Sequence, residues 1–115
     1  MTELVQRRID VKVGPQDAMV EKTSVKQLAF LPNATKPLVA YLGANEAGTK
    51  AFFLVSSDVA SASGDGVCLT TTPVCQYFTL KPGEVETFDY TPDPGTPYKL
   101  RLKSINDVVT KKSGG

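Results

Sequence analysis

The side chains able to do chemistry in this chain are few. Two cysteines, Cys68 and Cys75, stand near four carboxylates, Asp58, Asp65, Glu84 and Glu86, and histidine is absent. Without histidine, Ser-His-Asp and Cys-His nucleophilic catalysis and most zinc and iron sites are excluded. The cysteines are not spaced as the Cys-x-x-Cys of thiol oxidoreductases, and two thiols are too few for structural zinc. Leu-Thr-Thr-Thr-Pro-Val separates them, between a Gly64-Asp65-Gly66 turn and a β-patterned run that begins at Gln76. A pair this close, flanked by strands and spanning a proline, reads as a disulfide that staples a loop and places the domain outside the cytosol. The alternative is a reduced, buried pair in a cytosolic protein. Closing a loop of this length contributes about 2.5 kcal/mol.

The carboxylates allow acid/base pairs on paper, Asp58 with Asp65 or Glu84 with Glu86. Such pairs need a concave, partly dry site, and these residues lie in turn-rich or alternating stretches, so a chain that is not an enzyme is expected. Asp58 and Gly64-Asp65-Gly66 could offer oxygen ligands to calcium. They lack the dense Asp/Asn spacing of a calcium loop, and Gly-Asp-Gly is the composition of a tight turn. No metal or cofactor is expected. Asn33-Ala34-Thr35 matches the glycosylation acceptor triplet. Lys99, Arg101 and Lys103 form a basic row, with Lys111-Lys112 and Arg7-Arg8 as further candidates. That row suits an acidic partner or phospholipid headgroups, or else a solvated strand face whose lysines guard a sheet edge. Tryptophan is absent, so a carbohydrate platform would fall to Tyr77, Tyr90 and Tyr98.

These residues must be positioned by strands. Val5, Ile9, Val11 and Val13 alternate with polar residues until Gly14-Pro15 ends the run. Residues 16–23 are polar enough for a helical turn. Val25, Leu28, Phe30 and Leu31 suggest a short core-packed segment before the proline-bearing loop 31–37. Residues 38–42 and 51–55 are apolar at successive positions and read as a hairpin in mid-sheet, covered on each side. Asp58–Ser63 leads into the stapled loop, and strands over 76–80 and 85–90 follow, joined by Pro82-Gly83 in a type II turn. Tyr98, Leu100 and Leu102 then alternate with the basic row. About seven or eight short strands without βαβ alternation predict an all-β antiparallel sandwich, with a partly closed barrel as the alternative.

The chain has 115 residues and a net charge of +1, which fits one domain, placed at 4–110 with residues 111–115 as a tail or appended remnant. The charge argues against nucleic-acid binding, and no run is long and apolar enough for a membrane span or a signal peptide. A disulfide without an export signal suggests an excised piece of a larger protein.

Phe52-Phe-Leu-Val-Ser-Ser-Asp58, Ser63-Gly-Asp-Gly-Val-Cys68, the short loop to Cys75 and Leu80-Lys-Pro-Gly-Glu84 form a pattern. Lys26-Gln27-Leu28, Leu31-Pro32 and Val39–Gly43 belong to it too. Over roughly residues 25–105, the chain resembles an uncharacterised extracytoplasmic domain of actinobacterial proteins, sometimes found beside type IV pilus assembly components. The resemblance implies a membrane-anchored parent with this domain outside and a role in pilus-related assembly. It carries no active site. The expected function is a non-enzymatic interaction or scaffold module with a protein partner. Its candidate contact loop comprises Asp58, Gly64, Asp65, Gly66 and Pro73 beside Cys68 and Cys75. A glycan-binding module of the cell envelope and a viral or engineered scaffold component are the alternatives, and a homo-oligomer stays open.

Overall fold

The computed structural model describes residues 2–70 and 74–112, with side chains over 6–70 and 74–108. The described residues contain ten strands and no helix: β1 (Thr2–Pro15), β2 (Val20–Val25), β3 (Phe30–Leu31), β4 (Val39–Ala44), β5 (Ala51–Val55), β6 (Val59–Gly64), β7 (Val67–Cys68), β8 (Tyr77–Leu80), β9 (Val85–Tyr90) and β10 (Pro97–Lys112). They form two five-stranded antiparallel sheets, ordered β2-β1-β10-β9-β6 (sheet A) and β3-β4-β5-β8-β7 (sheet B). The sandwich is open, and the barrel alternative is set aside. Ten strands replace the expected seven or eight. Two of the additional elements, β3 and β7, are only two residues long. The third is β2, where the polar composition suggested a helical turn. Its residues face solvent except Val25, so alternation leaves no mark, and pairing with β1 holds it extended.

Alternating apolar residues build the core as the sequence predicts. Ile9, Val11 and Val13 of β1 and Leu100 and Leu102 of β10 are fully buried. Aromatic rings cross the interior from sheet B to sheet A: Tyr41 to Phe53 at 5.9 Å, Phe53 to Phe78 at 5.3 Å, and Phe78 to Phe88 at 5.8 Å between centroids. One stacked and two tilted ring pairs at such spacings add to the burial of their own large apolar area.

β1 and β10 pair antiparallel from Thr2 with Lys112 to Pro15 with Tyr98, with one bulge between Asp10 and Val11. The other strands of sheet A stop short of this length: β2 reaches only Ile9, and β9 reaches only Arg101. Residues 2–8 and 106–112 therefore continue as a two-stranded ribbon, and the molecule is 55 Å long by 29 and 23 Å. Arg7 ties the ribbon to sheet B. Its guanidinium donates to Asn45 O at 3.0 Å, to Glu46 O and to Asp107 Oδ1 at 3.1 Å, while Tyr41 Oη donates to Arg7 O at 2.8 Å. Burial raises the Tyr41 hydroxyl pKa against the opposing charge of Arg7. Arg7 is thus a tether between sheets and does not extend the basic row.

The chain crosses from sheet A to sheet B at Gly64-Asp65-Gly66. Gly64 has φ of 143°, and a Cβ there would lie 2.6 Å from Val85 O and 2.8 Å from Glu86 Oε1. Gly83, at φ 93° in the Pro82-Gly83 turn, has nothing within 4 Å of its Cβ position. Gly64→Ala combines backbone strain with a clash against backbone and is expected to destabilise by about 2–4 kcal/mol. Gly83→Ala carries the strain alone and is expected to cost about 1 kcal/mol. Urea midpoints of the two variants against the parent chain check the order, and equal losses would contradict it.

Candidate functional site: an exposed apolar row on sheet B

Cys68 and Cys75 are bonded, with Cα atoms 5.9 Å apart. A disulfide of this kind fits a non-reducing, extracytoplasmic setting. Gln76 N donates to Thr70 Oγ1 at 3.1 Å across the same loop. Pro73 lies outside the described residues. No helix among the described residues is long and apolar enough to cross a membrane.

The carboxylates considered for paired chemistry do not face one another. Asp58 precedes β6 and Asp65 follows it, so the strand separates them. Asp65 Oδ2 accepts from Val85 N at 3.0 Å, closing the crossover turn. Glu84 Oε1 accepts from Lys81 N at 2.7 Å, within its own turn. Glu86 is buried, 3% exposed, where Glu84 is held in its turn. Its Oε1 accepts from Gly66 N at 3.2 Å. Gly-Asp-Gly and Glu86 therefore form one structural unit at the crossover, a role that neither glycine nor glutamate betrays in sequence. Among the described residues no three His, Cys, Asp or Glu side chains gather as a metal site.

Burial raises the Glu86 pKa above its ordinary value of 4.5. The Gly66 hydrogen bond opposes this shift, and the negative charges of Asp65 and Glu84 reinforce it. The folded chain then holds this proton more tightly than the unfolded chain. The associated stability is present at and below the ordinary carboxylate range and is lost as pH rises through the raised pKa. Glu86→Gln keeps an acceptor for Gly66 and removes the charge. Thermal midpoints across pH 3.5–8 are expected to show the variant equal to the parent chain at the acid end and more stable above it; parallel curves would contradict this.

The basic row lies on the outer face of sheet A and gains a member that the sequence alone does not reveal. Lys12 stands opposite Arg101 in the β1–β10 register. Lys12, Gly83, Arg101 and Lys103 line a hollow of about 300 Å³. Glu21 pairs with Lys103 and stands opposite Lys12, which offsets part of the charge. The side chains of Lys111 and Lys112 are outside the described set.

Sheet B carries the larger departure from expectation. The sequence predicts that 38–42 and 51–55 are covered on both faces. Residues 38–41 are indeed buried at every position, whereas on the outer face β5 and the strands beyond it are open at Leu54, Tyr77, Val67 and Leu69. Register identifies that outer surface: Phe30 is opposite Ala40, Ala40 opposite Leu54, and Leu54 opposite Tyr77. Leu69 N then donates to Tyr77 O at 2.8 Å. One apolar row therefore crosses the sheet. Phe30 is 53%, Leu54 37%, Tyr77 41% and Leu69 53% exposed. A second row runs Phe52, Thr79, Val67, and neither row contains a charged residue. Phe30, Pro37, Ala40 and Leu54 border an apolar hollow of about 90 Å³, which admits one aliphatic side chain. Contiguous exposed apolar surface of this kind marks contact sites on soluble proteins.

Beside this face is a wider concavity of about 610 Å³, lined in part by Gln6, Arg7, Gln27, Leu42, Phe52 and Tyr77. Gln27 Nε2 donates to Leu42 O at 2.8 Å. Of the tyrosines considered for a carbohydrate platform, only Tyr77 is well exposed. Tyr90 is buried, and half-buried Tyr98 donates its hydroxyl to Asp93 Oδ2 at 2.7 Å. That bond, with burial behind it, pushes the Tyr98 pKa up to about 12. No protein-family model, curated protein or solved structure matches the chain.

Proposed function

We propose that this chain is a non-enzymatic protein-interaction module, working outside the cytoplasmic membrane, that docks a partner protein on the outer face of sheet B. The apolar row Phe30-Ala40-Leu54-Tyr77-Leu69, exposed at every member but Ala40, is the observation that supports this reading. The nineteen residues of the five strands of sheet B, at ~3.3 Å rise and ~4.8 Å spacing, give a face of roughly 300 Å² in projection. Two copies stacked on it alone would bury roughly 600 Å² together, below the ~1,000 Å² of a stable interface. We take the occupant to be a different protein, one that sends an aliphatic side chain into the hollow beside Phe30 and Leu54 and continues over neighbouring surface. A buried anchor in a pocket with uncharged surroundings is the usual centre of binding energy in such contacts. A membrane-anchored parent serving pilus or envelope assembly is the setting that the resemblance implies.

A photo-crosslinking residue at Leu54, in the organism that makes the protein, is expected to give one discrete heavier product. The same residue at Arg101, on the opposite sheet, is expected to give none. Equal products from both positions, or none from Leu54, would contradict the reading.

The concavity beside this face supports a second reading, a groove for cell-envelope glycans with Phe52 and Tyr77 as stacking surfaces and Gln27 as a polar contact. It predicts saturable tyrosine-fluorescence changes with soluble peptidoglycan fragments and at least a tenfold loss of affinity in Tyr77→Ala. Identical titrations for parent and variant would dismiss it.

A further inference from the structure

The four edges of the two sheets are not alike. β3 is two residues long and stops at Pro32, which has no N–H to offer; β7 is two residues long and ends at the stapled Cys68. β2 carries Glu21 and Lys22 on its exposed length, and Glu21 pairs with Lys103. These are the usual means by which edges are closed to foreign strands: shortness, proline and charge. β6 differs. It runs six residues, Val59-Ala-Ser-Ala-Ser-Gly64, without charge or proline, and among the described residues no strand lies beyond it. Its one irregularity is a bulge between Val59 and Ser61, at one end.

Hydrogen bonding shows which backbone groups this edge offers. Asp65 N donates to Val85 O at 2.9 Å beyond one end of β6, and Thr91 N donates to Asp58 O at 2.9 Å beyond the other. The register Ser61–Asp89, Ala62–Phe88, Ser63–Thr87 runs between them. Bonded and non-bonded pairs alternate in an antiparallel ladder. Ser61 and Ser63 therefore exchange bonds with β9, and Ala62 turns its N–H and C=O to the open side.

Charge selects the occupant. Exposed Asp58 and Asp65 bracket the strand, exposed Asp89 lies on its neighbour, and neither β6 nor β9 contains Lys or Arg. Two copies pairing edge to edge around Ala62 would bring Asp58 of one close to Asp65 of the other, like charges that disfavour the match. We infer that β6 accepts an extended segment of a different chain as a sixth strand of sheet A, with a small or β-branched uncharged centre and Lys or Arg near both ends. Asp58 and Asp65 are about 20 Å apart along an extended strand, so the basic residues stand six or seven positions apart. Main-chain hydrogen bonds supply the affinity and the acidic ends supply selection. The site is on the opposite sheet from the proposed docking face and does not depend on it.

The test uses the full chain labelled with ¹⁵N and two synthetic peptides, acetyl-Lys-Thr-Val-Thr-Val-Thr-Lys-amide and its counterpart with Glu at both ends. In the free chain the Ala62 amide is expected to exchange with solvent faster than those of Ser61 and Ser63. The Lys peptide is expected to shift the amides of residues 60–64 and to bind at least tenfold more tightly than the Glu peptide in low salt, with the gap narrowing as salt is added. Ala62→Pro removes an outward N–H, a substitution that edges tolerate. It is expected to weaken binding at least tenfold while the other amide positions stay in place. Asp58→Lys, at a side chain outside the ladder, is expected to reduce the preference for the Lys peptide. The inference fails if millimolar peptide leaves residues 60–64 unmoved, if the two peptides bind alike, or if Ala62 is as protected as its neighbours. It also fails if these amides shift with protein concentration alone, which would make a second copy the occupant.

Discussion

The pairing of β1 with β10 is the constraint on which the rest of the structure depends. It joins the two ends of the chain over fourteen residues of β1 and forms the centre of sheet A. It brings Ile9, Val11 and Val13 beside Leu100 and Leu102, so one half of the core exists only when the ends have met. The same pairing carries Lys12 to Arg101 and holds Arg7 where it can reach the Asn45–Glu46 carbonyls of sheet B. Contacts of such long sequence separation pay their loop-closure entropy before they are rewarded. The hairpins β4–β5 and β8 with its neighbours supply more local order, and the stapled loop reduces the freedom of the segment between β7 and β8.

The two sheets then divide the surface by chemistry. The outer face of sheet A is polar and partly basic, with Glu21 offsetting Lys103. The outer face of sheet B is apolar and uncharged along the row from Phe30 to Leu69. A two-layer sandwich buries only one face of each sheet. Strands that are apolar at successive positions therefore leave one set of side chains in water unless something else covers them. This geometry leaves Phe30, Leu54, Tyr77 and Leu69 exposed on the sheet beside the stapled loop.

The sequence conveyed the strands wherever burial alternates along them. Ile9-Val11-Val13 and Tyr98-Leu100-Leu102 read directly, and the disulfide followed from the isolation and closeness of its cysteines. β2 escaped because five of its six residues face solvent, so no period appears and only β1 determines its conformation. Lys12 could not be joined to the basic row without knowing that the chain ends pair. Glu86 looks like any surface residue in an alternating strand; its burial comes from the glycine turn folded over it. The mid-sheet runs 38–42 and 51–55 are legible as apolar on both faces, and 38–41 are buried throughout, but composition does not reveal that Leu54 is left exposed. Asp58, Gly64, Asp65 and Gly66 were grouped by proximity in sequence, while space assigns them to the two ends of one strand and to a crossover.

Hydroxyl-radical footprinting bears most directly on the claim that the outer face of sheet B is a covered surface in the working assembly. In the purified chain, Phe30, Leu54, Leu69 and Tyr77 should be modified readily, and the fully buried Phe53 and Phe78 should be spared. In the intact organism the first four should be protected while exposed residues of sheet A, such as Arg101, keep their reactivity. Equal modification of Phe30, Leu54, Leu69 and Tyr77 in both settings would contradict the account.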